Sequence, residues 1–503
     1  MRTKNVIRNT GFSLLLEIIV LAFGFIMPRL IILTYGSSVN GLTSAINQII
    51  GVINLLQAGA IGASIFEMYR PVAENNYKKI SIIYLSSKKY FRKLGFVFLG
   101  IIIAVIPLLV WNQSDSGIPP WAIGISVLIL GLNGGYNFFF YACYDIIFSA
   151  HQRNFQMSLA GIIEKLIYYA LLFLVISVKI HFVFMYVAVL IGGTAKILWL
   201  AYSFNKNYKK KLVPIEKGIT YKVKNKGHLL TNQISTQVIE SSPVLIISGM
   251  LGLTYASVYS VYNLIQLTLR TVFATIQYSI AASFGNVTVS ENQEKVLSVF
   301  SSIHFVFSML GTFLYTCTAF LFMPFIKLYT SNISDADYII PKLALLIIIY
   351  SITWCLYMPF FMASNAYGLF RQTSVQSVIC GAFALLISFI GVRYNMAFVL
   401  LGIIAYYLMS FIWRLIVMKR YLPWFKLKAL PRRTAFIILL PLFAYCLNIN
   451  IKIEAVSWTV WVILALITVF ASGTLMFIYI LLFERRELLL CLDYAKALLG
   501  RKK

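Results

Sequence analysis

The sequence is poor in charge, poorer still in acid, and has no polar stretch long enough to fold by itself. Of its 503 residues 12% are charged and 60% are hydrophobic, whereas a soluble globular chain carries roughly 25% charge. The two longest polar intervals, 67–93 and 205–227, hold 27 and 23 residues, and independent domains begin at roughly 50. An attached nucleotide-hydrolysing or soluble transferase domain is therefore excluded. The six cysteines (Cys143, Cys317, Cys355, Cys380, Cys446 and Cys491) are scattered with no Cys-x-x-Cys pair, which argues against both disulfides and zinc. His151, His181, His228 and His304 lie far apart, and no His-Glu-x-x-His, Walker A or Gly-x-Gly-x-x-Gly string occurs. No metal or other cofactor is expected.

What the chain does have is apolar runs of about 20 residues, the length a helix needs to cross a hydrocarbon layer of about 30 Å. They fall near 11–33, 39–66, 94–112, 119–142, 157–178, 181–204, 228–249, 252–283, 298–322, 340–363, 373–391, 396–418, 433–449 and 457–482. The expectation is an all-α polytopic membrane protein of fourteen transmembrane helices. The first run is longer than a signal-peptide core and lacks a small-residue cleavage site, so it reads as a retained helix. With the N-terminus placed inside, 33 of the 43 lysines and arginines fall in inner segments and five in outer ones. Both termini are then cytoplasmic and the membrane is the cytoplasmic one. The net charge of +27 is a topology signal that also suits anionic membrane lipids, and nucleic acid is not an expected partner.

The second half repeats the first at an offset of 216 residues. Asn9 and Gly11 fall on Asn225 and Gly227, Gly36 on Gly252, Asn47 on Asn263, Tyr141 on Tyr357, and Gln156 and Ser158 on Gln372 and Ser374. Six spans separate the copies, an even number, so the two copies share one orientation in the membrane. The expected organisation is a six-helix lobe over 1–204, a basic cytoplasmic linker over 205–227, a second six-helix lobe over 228–418, and helices 13 and 14 with a basic tail over 419–503. The leucine-rich stretch after Glu484, Arg485 and Arg486 reads as an amphipathic helix on the inner membrane surface.

Two pseudo-symmetric six-helix lobes followed by two C-terminal helices resemble the multidrug/oligosaccharidyl-lipid/polysaccharide flippase superfamily, and within it the polysaccharide repeat-unit (Wzx-type) transporters. The resemblance spans the whole chain. Its local support is Gly36, Gly41, Asn47, Gly59, Gly62, Tyr69, Arg70 and Pro71, followed by a basic loop from Lys78 onward. It implies no catalytic residue. It implies alternating access around a central cavity lined mainly by helices 1, 2, 7 and 8, with an undecaprenyl-pyrophosphate-linked oligosaccharide as the exported cargo for capsule or other surface polysaccharide. Polysaccharide polymerase and glycosyltransferases are then possible partners.

Polar groups inside the spans are the site candidates, because each costs free energy in hydrocarbon unless a cavity or a partner receives it. In span 8, Tyr255, Tyr259, Tyr262, Asn263, Gln266, Arg270 and Gln277 follow steps of three, four and seven, one stripe of a helix. Span 2 carries Asn40, Thr43, Asn47, Asn54 and Gln57. Two readings stand side by side, a wet cavity wall and hydrogen-bonded glue between helices. Arg270 is the first candidate to hold a phosphate and Arg29 the second, since a guanidinium offers paired donors to phosphate oxygens. Asn47, Asn54, Tyr259, Asn263 and Gln266 complete the substrate-binding set. Lys165 is expected to pair locally with Glu164, and Lys196 and Arg414 to snorkel toward the inner surface. Glu240, with Glu17 behind it, is the candidate for coupling to a proton or sodium gradient; a static Glu240–Arg270 pair is the competing reading. Pro28 and Pro243 are the gating candidates, because proline weakens a span where it must bend.

Two rivals remain. One is a multidrug or lipid-linked peptidoglycan precursor exporter of the same fold. The other is a membrane polysaccharide polymerase or glycosyltransferase, which the sequence disfavours. Residues 34–38 carry no charge, the longest outer gap is about 17 residues, and Asp335 and Asp337 sit just before a helix, where aspartate is an ordinary turn residue.

Overall fold

The structure, a computed structural model, describes residues 2–57, 59–113, 116–214, 227–425, 428–451 and 456–500. Helices in chain order are α1 (Arg2–Tyr35), α2 (Ser37–Asn54), α3 (Ala60–Ala73), α4 (Tyr77–Asn112), α5 (Pro120–Tyr136), α6 (Ala142–Ala150), α7 (Phe155–Ser177), α8 (Val183–Asn207), α9 (Gly227–Met250), α10 (Leu253–Ser290), α11 (Gln293–Tyr329), α12 (Pro341–Ala366), α13 (Phe370–Tyr394), α14 (Leu400–Tyr421), α15 (Leu430–Ile451), α16 (Trp458–Phe483) and α17 (Arg485–Gly500). The fold is all-α. Short 3-10 and π turns join α2 to α3 and α5 to α6, so each of these pairs makes one span, and 12 spans are long and apolar enough to cross a membrane. With α9 and α10, of 24 and 38 residues, they account for the fourteen expected helices.

One expected loop is helix. The basic stretch from Lys78 is the opening turns of α4, whose N-cap Asn76 accepts from the Lys79 amide at 3.0 Å. The tail is the helix α17, as expected. Most of the 205–227 linker, residues 215–226, lies outside the described residues.

Two compact units divide the chain, Met1–Ser260 and Val261–Lys503. Within the first, α1 leads into α2 through Gly36 and α9 into α10 through Gly252, whose φ values are 87° and 99°. Both conformations favour glycine, which accounts for this match of the repeat. Two residues beyond each glycine, the repeat-equivalent Ser38 and Thr254 hydroxyls meet at 3.0 Å, as a local two-fold relation requires. The α7–α8 hairpin depends on close approach. A Cβ on Gly192 would lie 2.7 Å from the Glu164 carbonyl oxygen of α7, and the neighbouring Gly193 lets α8 close on Asn133 of α5 as well. Small residues let membrane helices pack this tightly.

The second unit closes on itself by the same means and by charge. Arg433, fully buried on α15, donates to the Glu484 carboxylate at 2.7 Å and to the Ser301 carbonyl at 2.8 Å, while Arg432 meets Glu484 at 2.6 Å. Ser301 and Ser302 on α11 in turn donate to Glu487 on α17 at 2.7 and 3.2 Å. The tail helix is thus pinned to the bundle by buried ionic contacts.

Candidate functional site

In the first unit α1, α2, α5, α7 and α8 enclose a cavity of about 260 Å³. Its polar wall comes from Asn47, Asn133, Asn137, Glu164, Lys165 and Tyr168, set among apolar groups such as Ile31 and Leu130. Asn133 and Asn137 stand one turn apart where α5 gives way to the π turn Asn137–Tyr141. Such a turn carries one extra residue and re-aims the side chains beside it. Asn133 Oδ1 is buried and, among the described residues, accepts no hydrogen bond. A buried carbonyl oxygen left this way calls for a donor from a water or a ligand.

Two charged side chains, Glu164 and Lys165, line the cavity, and Lys196 stands against Glu164. Lys196 Nζ lies 2.7 Å from Glu164 Oε2, and Lys165 Nζ 3.5 Å from Glu164 Oε1. Lys196 also sits 4.2 Å from the centre of the Tyr141 ring. The Asp145 carboxylate of α6 also acts on Lys196, so two lysines stand among two carboxylates. Lys196 does not snorkel as expected: a carboxylate within reach holds the ammonium in place, which is cheaper than stretching to water.

The polar stripe of α2 divides between the two readings drawn from the sequence. Asn40 is buried and donates to Ser257 and Ser260 at 2.8 and 3.1 Å, and the Thr43 hydroxyl meets that of Tyr186 at 2.9 Å. Asn40 is glue, whereas Thr43 and Tyr186, bonded to each other, also line the cavity. Asn47 faces the cavity, and farther along Asn54 Oδ1 and Gln57 Oε1 are buried with no hydrogen-bond partner among the described residues. On α9, Gln237 donates to Ser241 at 3.1 Å and Ser241 to Gln48 on α2 at 2.8 Å, beside the half-buried Glu240 and the buried Pro243. Helix α9 runs unbroken through Pro243, as α1 does through Pro28, and Arg29 follows half-buried. Glu17 lies on an exposed face of α1 rather than in a packed interior. Tyr259 is buried, 1% exposed.

In the second unit the stripe of α10 reaches α12. Arg270 Nη1 donates to the Tyr350 hydroxyl at 2.9 Å, and its guanidinium lies 4.7 Å from the centre of the Trp354 ring. One turn earlier the buried Gln266 accepts from Ser351, its Nε2 has no hydrogen-bond partner among the described residues, and Asn263 is half-buried on the same stripe. Tyr262 donates to the Tyr338 carbonyl at 2.7 Å, so it serves packing. Arg414, 1% exposed, also contradicts the snorkelling expectation. Its forked head donates to Ser364 and to Tyr357 and lies 5.1 and 5.0 Å from the Tyr357 and Phe361 ring centres. Planar stacking gives it a home that its length alone would not disclose. Asp337 accepts from the Ile339 amide at 2.8 Å, the turn role expected of it.

Sequence reasoning passed over Glu164, Asn133, Asn137 and Tyr168 as site residues. Two signals were present: Glu164 is the lone acid of the 157–178 run, and Asn133 and Asn137 keep helical spacing in an apolar one.

No protein-family model matches the chain, and no curated protein matches it. Solved structures do. An inward-facing multidrug resistance MATE family transporter of the MOP superfamily superposes with a TM-score of 0.65 at 13% identity, over 80% of this chain and 95% of that one. The lipid II flippase MurJ in an inward closed conformation gives 0.62 at 15% identity, over 93% and 100%. An outward-facing MATE family transporter gives 0.56 at 13% identity, over 87% and 97%. These neighbours are transporters and flippases, not enzymes. The chain is a multi-pass membrane protein with the fold of these MATE and MurJ structures.

Proposed function

We propose that this protein moves an undecaprenyl-pyrophosphate-linked oligosaccharide repeat unit from the cytoplasmic to the outer leaflet of the cytoplasmic membrane, by alternating access, for capsule or other surface-polysaccharide assembly. The observation that carries the reading is cationic charge held inside the spans. Lys165 and Lys196 stand with Glu164 beside the cavity of the first unit, and in the second Arg270 donates to the Tyr350 hydroxyl and lies against the Trp354 ring. A charge at mid-membrane costs roughly 2.5–3.5 kcal/mol on insertion scales, so its retention favours an anionic cargo. Arg270, with Arg29 second, takes the pyrophosphate. The amides of Asn47, Asn54, Asn263 and Gln266, with Tyr259, meet sugar hydroxyls. Pro28 and Pro243 give α1 and α9 places to bend, and Glu240, with Glu17 behind it, couples the cycle to a proton or sodium gradient. Both termini are cytoplasmic in this reading, and the polymerase and glycosyltransferases of the same assembly are its partners.

The test is replacement in the native cell. Arg270→Ala lowers surface polysaccharide and leaves lipid-linked repeat units on the inner leaflet, while the protein stays in the membrane at its normal level. Arg270→Lys recovers part of the export because charge remains and the fork is lost. Wild-type export by the alanine variant would remove Arg270 from the site.

A second reading, a multidrug or lipid-linked peptidoglycan precursor exporter, draws support from the likeness to a multidrug transporter and to a lipid II flippase. Accumulated lipid-linked peptidoglycan precursor after depletion, with surface polysaccharide unchanged, would favour it.

A further inference from the structure

At the end of the first unit where α1 begins, three cations from three separate elements converge on one cleft of about 440 Å³: Arg8 of α1, Arg153 of the α6–α7 turn and Lys206 of α8. The spans place this cleft at the membrane boundary, since Arg8 and Phe155 are the first residues of their spans and Asn207 the last of its own. Among the described residues none of the three cations pairs with a carboxylate. Each is nevertheless positioned. Arg153 donates to Asn207 Oδ1 at 3.2 Å, and Asn207 is itself tied to the Ser203 carbonyl at 2.7 Å. Arg8 lies 5.7 Å from the Phe155 ring centre and Lys206 5.7 Å from that of Tyr202. Trp199 donates to Gln156 Oε1 at 3.2 Å, and Gln156 itself lines the cleft.

Snorkelling alone does not produce this arrangement. A snorkelling cation acts singly and points away from its neighbours toward water, whereas three like charges gathered in one concavity repel each other unless an anion joins them. Basic pockets between membrane helices at the headgroup level suit phosphate heads. The cleft also has what a lipid needs beyond its phosphate: Trp199 and Tyr202 at the interfacial level, and exposed Leu198 on the same turn of α8 for an acyl chain to follow.

We propose that this cleft is a binding site for the phosphate head of an anionic membrane lipid, separate from the transport cavity and independent of what that cavity carries. The site takes a phosphate ester through Arg8, Arg153 and Lys206, with Gln156 as a neutral donor, and the lipid chain runs along the outer face of α8.

The test is titration of the detergent-purified full-length chain with dioctanoyl phosphatidylglycerol, read by the fluorescence difference between the wild type and Trp199→Phe. Dioctanoyl phosphatidylcholine and inorganic pyrophosphate serve as the other two probes. At about fivefold per cation, Arg153→Gln weakens phosphatidylglycerol binding about fivefold, and the triple variant Arg8→Gln/Arg153→Gln/Lys206→Gln weakens it about a hundredfold. Arg153→Lys keeps most of the affinity and controls for folding, as does an unchanged elution volume of the triple variant. Phosphatidylcholine binds at least tenfold more weakly than phosphatidylglycerol. Pyrophosphate binding as tight as the lipid, and lost in the same variants, would assign the cleft to soluble phosphates and overturn the lipid. Phosphatidylglycerol binding that changes less than twofold in a folded triple variant, or equal binding of the zwitterionic lipid, would overturn the site.

Discussion

Lys196 and Arg414 occupy corresponding places in the two repeats, two residues off the 216-residue register, and each lies against the repeat-equivalent tyrosine, Tyr141 or Tyr357. Next to them Trp199 and Trp413 reach Gln156 and Gln372, also equivalent. The balancing of charge differs. Lys196 has the Glu164 carboxylate at 2.7 Å, whereas Arg414 has Ser364, Tyr357 and Phe361 and, among the described residues, no carboxylate. The difference follows from the two cations. An ammonium taken out of water gives up its proton unless an acid stays beside it, while a guanidinium keeps its charge, spreads it over a plane and stacks. One repeat therefore holds its charge in an ion cluster beside a cavity, and the other holds it in an aromatic sandwich.

The largest expected effect comes from breaking the ion cluster. Glu164→Ala removes the carboxylate that Lys165 and Lys196 share and costs about 3–5 kcal/mol of unfolding free energy, measured by denaturant unfolding in detergent micelles. Adding Lys196→Met to it restores part of that loss. If the double variant is as unstable as the single one, the cluster is not what holds Lys196. Next in size, Arg414→Lys removes the fork and its stacking and costs about 1.5–3 kcal/mol, whereas Lys196→Arg, which keeps charge beside Glu164, costs less than about 1.5 kcal/mol. Equal losses at the two positions would erase the distinction between them.

A smaller effect concerns pH, and a third cation sharpens it. Arg433 is as buried as Arg414 but has Glu484. Burial by itself raises the Glu484 carboxyl, yet the charged hydrogen bonds from Arg433 and Arg432 outweigh it and hold the group below the ordinary glutamate range. A depressed carboxyl contributes stability that is fully present above its unfolded value and is lost as pH falls through the folded one. Acidification below the ordinary glutamate range therefore destabilises the wild type, and Glu484→Gln flattens that part of the profile. Arg414→Lys leaves its shape unchanged, since no carboxylate titrates there. A Glu484→Gln profile that still falls like the wild type would show that the pinning of α17 is not ionic.

The smallest effect is a matter of accessibility. Cysteines placed at the exposed turn residues Asn75 and Asn332, in a chain freed of its six native cysteines, react from opposite sides of the membrane. An impermeant reagent labels Asn332→Cys in intact cells and spares Asn75→Cys. Labelling of both, or the reverse, would invert the orientation read from the basic residues.

How much of this was legible in the residues depends on the scale of the signal. Spans, their number and the repeat were readable because hydropathy is summed over about 20 positions and because Gly36 and Gly252 each answer to a backbone angle. Boundaries were less so: helices continue past the apolar run where cap and pairing residues such as Asn76 allow it, as α4 does over the basic stretch at Lys78. The cavity was half legible. Asn47 was found on a stripe, but Glu164, Asn133 and Asn137 belong to three turns that only the α5–α7–α8 packing brings together. Arg414 and Lys196 were misread for one reason. Snorkelling is inferred from distance to the membrane edge, and neither Glu164 nor the Tyr357 and Phe361 rings lie near them in sequence.

The account rests most heavily on the identity of the cargo. The decisive measurement is the flipping of a fluorescent undecaprenyl-pyrophosphate-linked oligosaccharide in vesicles containing the purified protein, followed by quenching of the outer leaflet. The account predicts movement well above that in empty vesicles, a loss of at least tenfold with Arg270→Ala, and partial recovery with Arg270→Lys. Movement of a cationic drug in the same vesicles, with none of the lipid-linked sugar, would contradict it.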